Sequence, residues 1–256
     1  MKKFEKIVIA VVLIQLLLII GICNSFEVDD MTLAKGSVYS FNKGWTLIRE
    51  NGTVTELDNL PYTAQCKANE RIIIENRIPR KYRGKTLYFL SADKTLRVKI
   101  DGKEVYTFGL NDKRTFGHTP GSVMAFVDIP PQMEDGVIQI EMSSPYDNYA
   151  TYIGEMAIAN RDVAILNLIV SKAFSLFCSI IIIGIGLLLS VLGMIQRLTK
   201  LETDGMCRLG AYFIFMGIYN FIETKTLTVF YGSQTLYSFM IFIILMTAPL
   251  FFELYY

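Results

Sequence analysis

Histidine is almost missing from this sequence: His118 is the single one among 256 residues. That removes every two-histidine metal motif. The four cysteines, Cys23, Cys66, Cys178 and Cys207, are scattered without CxxC spacing. Cys178 falls in an apolar run and Cys207 in the loop expected to follow it, so neither a disulfide framework nor a metal site is implied. Cys66, the one cysteine of the polar part, reads as an unpaired thiol. A charge surplus is missing too. Lys+Arg 25 against Asp+Glu 24 leaves net +1, which excludes the basic footprint of a nucleic-acid binder. GxSxG, HExxH, a Walker loop and a glycine-rich nucleotide fingerprint are all absent. Gly184 and Gly186 lie inside an apolar span and make no phosphate loop. The chain therefore reads as a non-enzyme without cofactor or metal.

The sequence is rich in long apolar runs. Ala173 to Ile195 carries no formal charge over about 23 residues, more than the roughly 20 that cross a bilayer as a helix. A helix saturates its own backbone hydrogen bonds, as hydrocarbon requires. Gly184, Gly186 and Gly193 would weaken a water-exposed helix but let membrane helices approach closely. The run divides a polar part before it from a mostly apolar part after it.

Residues 1–25 begin with Lys2, Lys3 and Lys6 and continue apolar from Ile7 to Ile22, apart from Gln15. That is the pattern of a signal anchor or signal peptide. Gly21, Cys23 and Ser25 make a mediocre cleavage site, which favours the anchor. Its lysines place the N-terminus in the cytoplasm and export the next segment.

Residues 26–162 change to short alternating runs. Leu96, Val98 and Ile100 alternate with Arg97 and Lys99; Asp101 and Gly102 make a tight turn; Val105 and Tyr106 open a return strand. Runs at 71–75, 86–90, 123–129 and 136–142 read the same way, with Gly, Pro, Asn and Asp between them. The expectation is an all-β antiparallel sandwich of about 140 residues, enough for its own core. A helix beginning near Asp162 and running through Ile195 would join it to the membrane. Residues 163–256 read as about three transmembrane helices. The second would occupy Leu209 to Tyr231, the third Leu236 to Phe252, with a turn at 232–234. Arg197, Lys200 and Arg208 mark the inner side. The end at Tyr256, without a basic anchor, reads as a cut in a larger membrane region.

The segments KTLYFLSADKTLRVKIDGKEVYTFG, GHTPGSVMAFVDIP and GVIQIEMSSPYDNYATYIGEMAIA resemble the galactose-binding-like jelly roll that also begins family-two glycoside hydrolases. They also resemble the outer region of bacterial seven-transmembrane receptors with diverse intracellular signalling modules, many of which end in a GGDEF diguanylate cyclase. Gly44 and Trp45, Leu60 and Pro61, the Asp101–Gly102 turn, Pro120 to Ser122 and Ser144 to Tyr146 stand in the expected order. The resemblance covers roughly Gly44 to Tyr256 and rests on turns rather than chemistry. It implies an extracytoplasmic jelly roll on a multi-pass bacterial membrane protein. The sandwich would sense a small extracellular ligand of carbohydrate type and regulate a cyclase that this chain does not contain. The alternatives are an adhesion or carbohydrate-binding scaffold, and the accessory domain of a tethered glycosidase.

Sugar-binding sandwiches stack ligands on exposed aromatics and hold them with a few polar groups at strand ends. Trp45 is a stacking platform or a core anchor. Tyr146 and Tyr149, with Tyr152 beside them, line a cleft or form an interfacial belt. His118 binds ligand or sits on a surface loop. Arg97 and Lys99 clamp a ligand or form a solvated face. Glu223 is an intramembrane ionisable group or the end of a helix. The remaining partners expected are the lipid bilayer and a second copy, through a homodimer of transmembrane helices.

Overall fold

The computed structural model describes residue 14 and residues 37–110, 120–199, 205–230 and 234–253. Met1–Lys35 and Gly36–Tyr256 are separate compact units. Of the first only Ile14, helical and exposed, is among the described residues. The anchor expected there and the turn expected at 232–234 lie outside them.

Among the described residues the second unit opens with twelve strands, β1 (Tyr39–Ser40), β2 (Trp45–Arg49), β3 (Val54–Leu57), β4 (Tyr62–Thr63), β5 (Ile72–Arg77), β6 (Thr86–Ser91), β7 (Thr95–Ile100), β8 (Lys103–Phe108), β9 (Val123–Asp128), β10 (Val137–Ser143), β11 (Tyr152–Ile153) and β12 (Met156–Ala159). They form a six-stranded sheet in the order β3-β2-β5-β10-β7-β8, a four-stranded sheet β1-β12-β6-β9, and the small pair β11-β4. All pairings are antiparallel.

Period-two alternation decides which face of each strand is buried. Leu96, Val98 and Ile100 of β7 stand opposite Met142, Ile140 and Ile138 of β10. Ile72 and Ile74 of β5 flank Met142 and Ile140 on the other side. Val123, Ala125 and Val127 of β9 and Leu87 and Phe89 of β6 come from the four-stranded sheet into the same buried cluster. Two antiparallel sheets thus share one core, as in a β-sandwich.

The expected hairpin is present. Asp101 and Gly102 take φ of 49° and 76°, the left-handed pair that a two-residue hairpin requires. Asp101 also fixes the approach to β10, because its carboxylate accepts N–H bonds from Glu134 at 2.8 Å and Val137 at 2.9 Å. Beyond the runs expected from alternation, the structure adds β2, β3, β12 and the two-residue strands. β3 alternates poorly because it is an edge strand, three of whose four residues are exposed.

Among the described residues five α-helices follow or interrupt the strands: α1 (Asp147–Ala150), α2 (Arg161–Leu198), α3 (Gly205–Glu223), α4 (Leu227–Phe230) and α5 (Gln234–Glu253). α2 is continuous over 38 residues, as expected from the run of apolar sequence beyond Asp162. Its first turns bury Val163, Ala164 and Leu168. Asp162 in the opening turn suits the positive end of the helix dipole. α2 and α3 are long and apolar enough to cross a membrane; within α5 the apolar stretch, Leu236–Phe251, is shorter.

Small residues set the α2–α3 contact. A Cβ on Gly186 would lie 2.7 Å from the Gly210 carbonyl oxygen, and one on Gly193 would lie 2.5 Å from Cys207 Sγ. A Cβ on Gly217 would lie 2.6 Å from Ile183. Backbones this close admit only glycine. Two expectations are corrected here. Gly184 meets nothing within 4 Å and takes no part in the contact. Cys207 belongs to α3 rather than to a loop, with Sγ 3.6 Å from the Ser190 carbonyl oxygen. Glu223 is the last residue of α3, half-exposed and 3.2 Å from Lys225 Nζ, so the helix-end alternative describes it.

Candidate functional site

A cleft of about 630 Å³ opens beside the first turns of α2. One wall is the outer face of the four-stranded sheet, where Tyr88 and Leu90 of β6, Met124 of β9 and Ala157 of β12 project away from the core. Asn167 of α2 closes that wall and donates from Nδ2 to Tyr88 Oη at 3.0 Å. Burial pushes the Tyr88 hydroxyl's pKa up, and the Asn167 hydrogen bond opposes it. Below this contact Asp128 accepts from Thr86 Oγ1 at 2.8 Å and pairs with Arg161 at 2.5 Å. Helix and sheet are therefore joined at two polar points beside the cleft.

The opposite wall holds Tyr149 and Tyr152, exposed at 43% and 50%. Tyr146 packs edge-on against Tyr149 with ring centroids 6.4 Å apart. Tyr149 lies on α1 and Tyr152 on β11, with Tyr146 just before α1, in the short stretch after Pro145. Asp147 in α1 accepts the Ala68 N–H at 2.6 Å, which ties the segment to the loop before β5.

Lys94 and Ser91 line the recessed end. Lys94 ends the turn between β6 and β7, where Asp93 takes φ of 51° and reverses the chain. The turn is pinned by Ser144 Oγ, which donates to the Asp93 carbonyl at 2.8 Å. The lysine points back under β11 and donates from Nζ to the Tyr152 carbonyl, with Met142 Sδ at 3.9 Å. Only 4% of Lys94 is exposed. Burial lowers its pKa to about 8, and the nearby Cys66 opposes that shift. Cys66 is buried and unpaired; burial pushes its thiol up, Glu70 adds to the rise, and Arg49 and Lys94 oppose it. Ser91 Oγ is buried without a hydrogen-bond partner among the described residues.

The structure thus brings Tyr146 and Tyr149 together at the cleft and places other candidates elsewhere. Trp45 is 1% exposed, packs edge-on against Phe41 at 5.4 Å and donates from Nε1 to the Phe41 carbonyl at 2.8 Å. It is a core anchor, with no open ring face. Arg97 lies on the six-stranded sheet, with Nε 3.2 Å from Glu104 and Nη1 3.7 Å from Glu141. Its charge is spent on those two carboxylates, as on a solvated strand face. His118 falls outside the described residues. Lys94, Ser91 and Asn167 were not singled out from sequence. A lysine in a turn after SAD reads as solvated, and no local signal marks it as turned inward. Among the described residues no cluster of three His, Cys, Asp or Glu could hold a metal ion.

No family model and no curated protein matches the sequence. Among solved structures, a β-glucuronidase from Ruminococcus gnavus in complex with D-glucuronic acid is similar at 15% identity and a TM-score of 0.33. The match covers 48% of this chain and 29% of that one. The same enzyme in complex with C6-substituted uronic isofagomine gives 14% identity, TM-score 0.32, and coverage of 49% and 29%. The chain spans less than a third of the length of these structures, and a likeness this slight transfers no activity.

Proposed function

We propose that the chain is the ligand-sensing region of a bacterial transmembrane signalling receptor. In this reading the β-sandwich is an extracytoplasmic jelly roll of the galactose-binding-like kind, on a multi-pass membrane protein whose N-terminus is cytoplasmic. A small ligand would occupy the cleft beside α2, and a cytoplasmic diguanylate cyclase outside this chain would supply the output. The resemblance of the sandwich segments to such receptors supports the family. The observation that carries the mechanism is Asn167, which lines the cleft and belongs to α2, the helix that continues through the apolar run.

Thirty-eight residues at 1.5 Å each give a rod of about 57 Å, nearly twice the hydrocarbon thickness. Its upper turns remain on the sandwich while Ala173 to Ile195 crosses. A ligand that fits the cleft better in one setting of α2 than in another shifts the population of those settings by its differential affinity. The glycine contact with α3 would carry that shift to the second helix. Exposed tyrosines on the far wall offer the stacking surface, so carbohydrate is a suitable ligand class.

The test uses the full chain in nanodiscs. Ligand titration is followed by hydrogen exchange over residues 161–172. Saturable binding that changes protection there, and that is lost in Tyr152→Ala, is the expected result. Binding only to polymer or cell wall, with exchange of α2 unaltered, would replace the sensor by an adhesion scaffold.

A further inference from the structure

The next step rests on the ligand-binding reading above and specifies what the cleft recognises. Lys94 lines the cleft while almost wholly buried. Its ammonium has three N–H donors. The Tyr152 carbonyl takes one, and Met142 Sδ at 3.9 Å is a weak acceptor. Among the described residues no carboxylate lies within ion-pair distance of it. A buried cation without a counter-ion is unfavourable.

Ser91, 5% exposed, is another lining residue of the cleft, and its buried hydroxyl finds no partner among the described residues. The cleft lining therefore includes an ammonium with unused donors and a hydroxyl without a partner. Tyr149 and Tyr152 at the mouth are open. Among the described lining residues the only acidic one is Glu155, which is exposed on the outer side.

We propose that the cleft binds a small organic carboxylate, which accepts hydrogen bonds from Lys94 Nζ and Ser91 Oγ while the ligand's body lies against Tyr149 and Tyr152. The anion would be the missing counter-ion of Lys94, and a charge-assisted bond in a recessed site is strong. One ammonium and one hydroxyl match the two oxygens of a carboxylate. A phosphate would leave most of its oxygens without donors, because no arginine lines the cleft among the described residues. A neutral sugar would leave the ammonium uncompensated.

The experiment titrates the full chain in nanodiscs with matched pairs: galacturonate against galactose, and phenylacetate against phenylacetamide. Calorimetry is run on wild type, Lys94→Met, Lys94→Arg, Ser91→Ala and Tyr152→Ala, with Trp45 emission confirming that each sandwich is folded. At least one acid is expected to bind roughly tenfold or more tightly than its neutral partner. Lys94→Met removes that preference, Lys94→Arg keeps part of it, and Ser91→Ala weakens the acid severalfold. Equal binding of acid and neutral partners, or an acid preference that survives Lys94→Met, overturns the proposal. Neutral ligands that bind and are lost in Tyr152→Ala would overturn the carboxylate alone and leave the cleft as a sensor site. Failure of both series to bind would overturn the cleft itself.

Discussion

Replacing Lys94 by methionine should stabilise the sandwich at neutral pH. The ordinary lysine value of 10.5 falls to about 8 in the folded chain because the ammonium is buried. Each pH unit between those values is worth about 1.4 kcal/mol, so holding the charge costs about 3 kcal/mol at pH 7. Methionine of similar length loses the hydrogen bond to the Tyr152 carbonyl, worth about 1 kcal/mol. The variant should therefore be more stable by about 2 kcal/mol. The sign with pH follows from proton counts. Between about 8 and 10.5 the unfolded chain still binds the Lys94 proton and the folded chain has released it, so wild-type stability rises with pH relative to the variant. Above 10.5 both states are neutral and the advantage of methionine is gone. The raised pKa of Tyr106, pushed up to about 12 by burial, acts in both proteins and cancels. A Cys66→Ala background removes the neighbouring thiol. Chemical denaturation of the full chain, followed by the emission of its single tryptophan, reads the sandwich because Trp45 lies in its core. A variant less stable at pH 7, or a gap that stays constant from pH 7 to 11, would refute the reasoning.

Four further outcomes follow from the packing. Gly186→Leu should separate α2 from α3 and destabilise the helix pair by about 1–3 kcal/mol, because its Cβ would meet the Gly210 carbonyl and Ile214 within 3 Å; cross-linking between the helices should fall. Gly184→Ala, by contrast, should leave cross-linking and stability intact, since open space surrounds it. Asp101→Ala should cost about 1–3 kcal/mol by freeing the Glu134 and Val137 N–H groups, seen as faster amide exchange at the start of β10. Trp45→Ala should cost about 3–5 kcal/mol in denaturant unfolding, far beyond the effect of losing an exposed ring.

The sandwich was legible where alternation is strong. β7 and β10 each bury every second residue, and Asp101–Gly102 supplies the left-handed backbone pair that turns β7 back into β8. The edge strand β3 and the short β12, covered on both faces, lack that signal. Ala159 of β12 points to the outer face yet is fully buried, because the first turns of α2 cover it. That helix was visible as an uninterrupted apolar run, but its docking on the sheet was not. Docking is made by Asn167 on Tyr88 and Arg161 on Asp128, pairs separated by 79 and 33 residues. No local spacing encodes such pairs.

The candidate site divides along the same physical line. Tyr146 and Tyr149 could be found from sequence because exposed aromatics in a polar loop break a compositional rule. Lys94 breaks a rule as well, but only after folding: in sequence it is an ordinary lysine in a turn, and in the structure it is a cation turned inward. Its placement also bears on function. A chain that spends stability on an uncompensated charge at the recessed end of a cleft gains when something anionic fills that place. The same cleft is walled by Asn167, the residue before Leu168, which with Ala164 is buried in the first turns of α2. In the proposed sensor, binding energy released at Lys94 would be delivered next to Asn167, which bonds α2 to Tyr88 of the sheet. Asn167→Leu separates the two roles. It removes the bond to Tyr88 without touching Lys94, so acid binding should persist while the exchange response of residues 161–172 is lost. If binding and response disappear together, Asn167 holds ligand directly and the separation of the two roles is refuted.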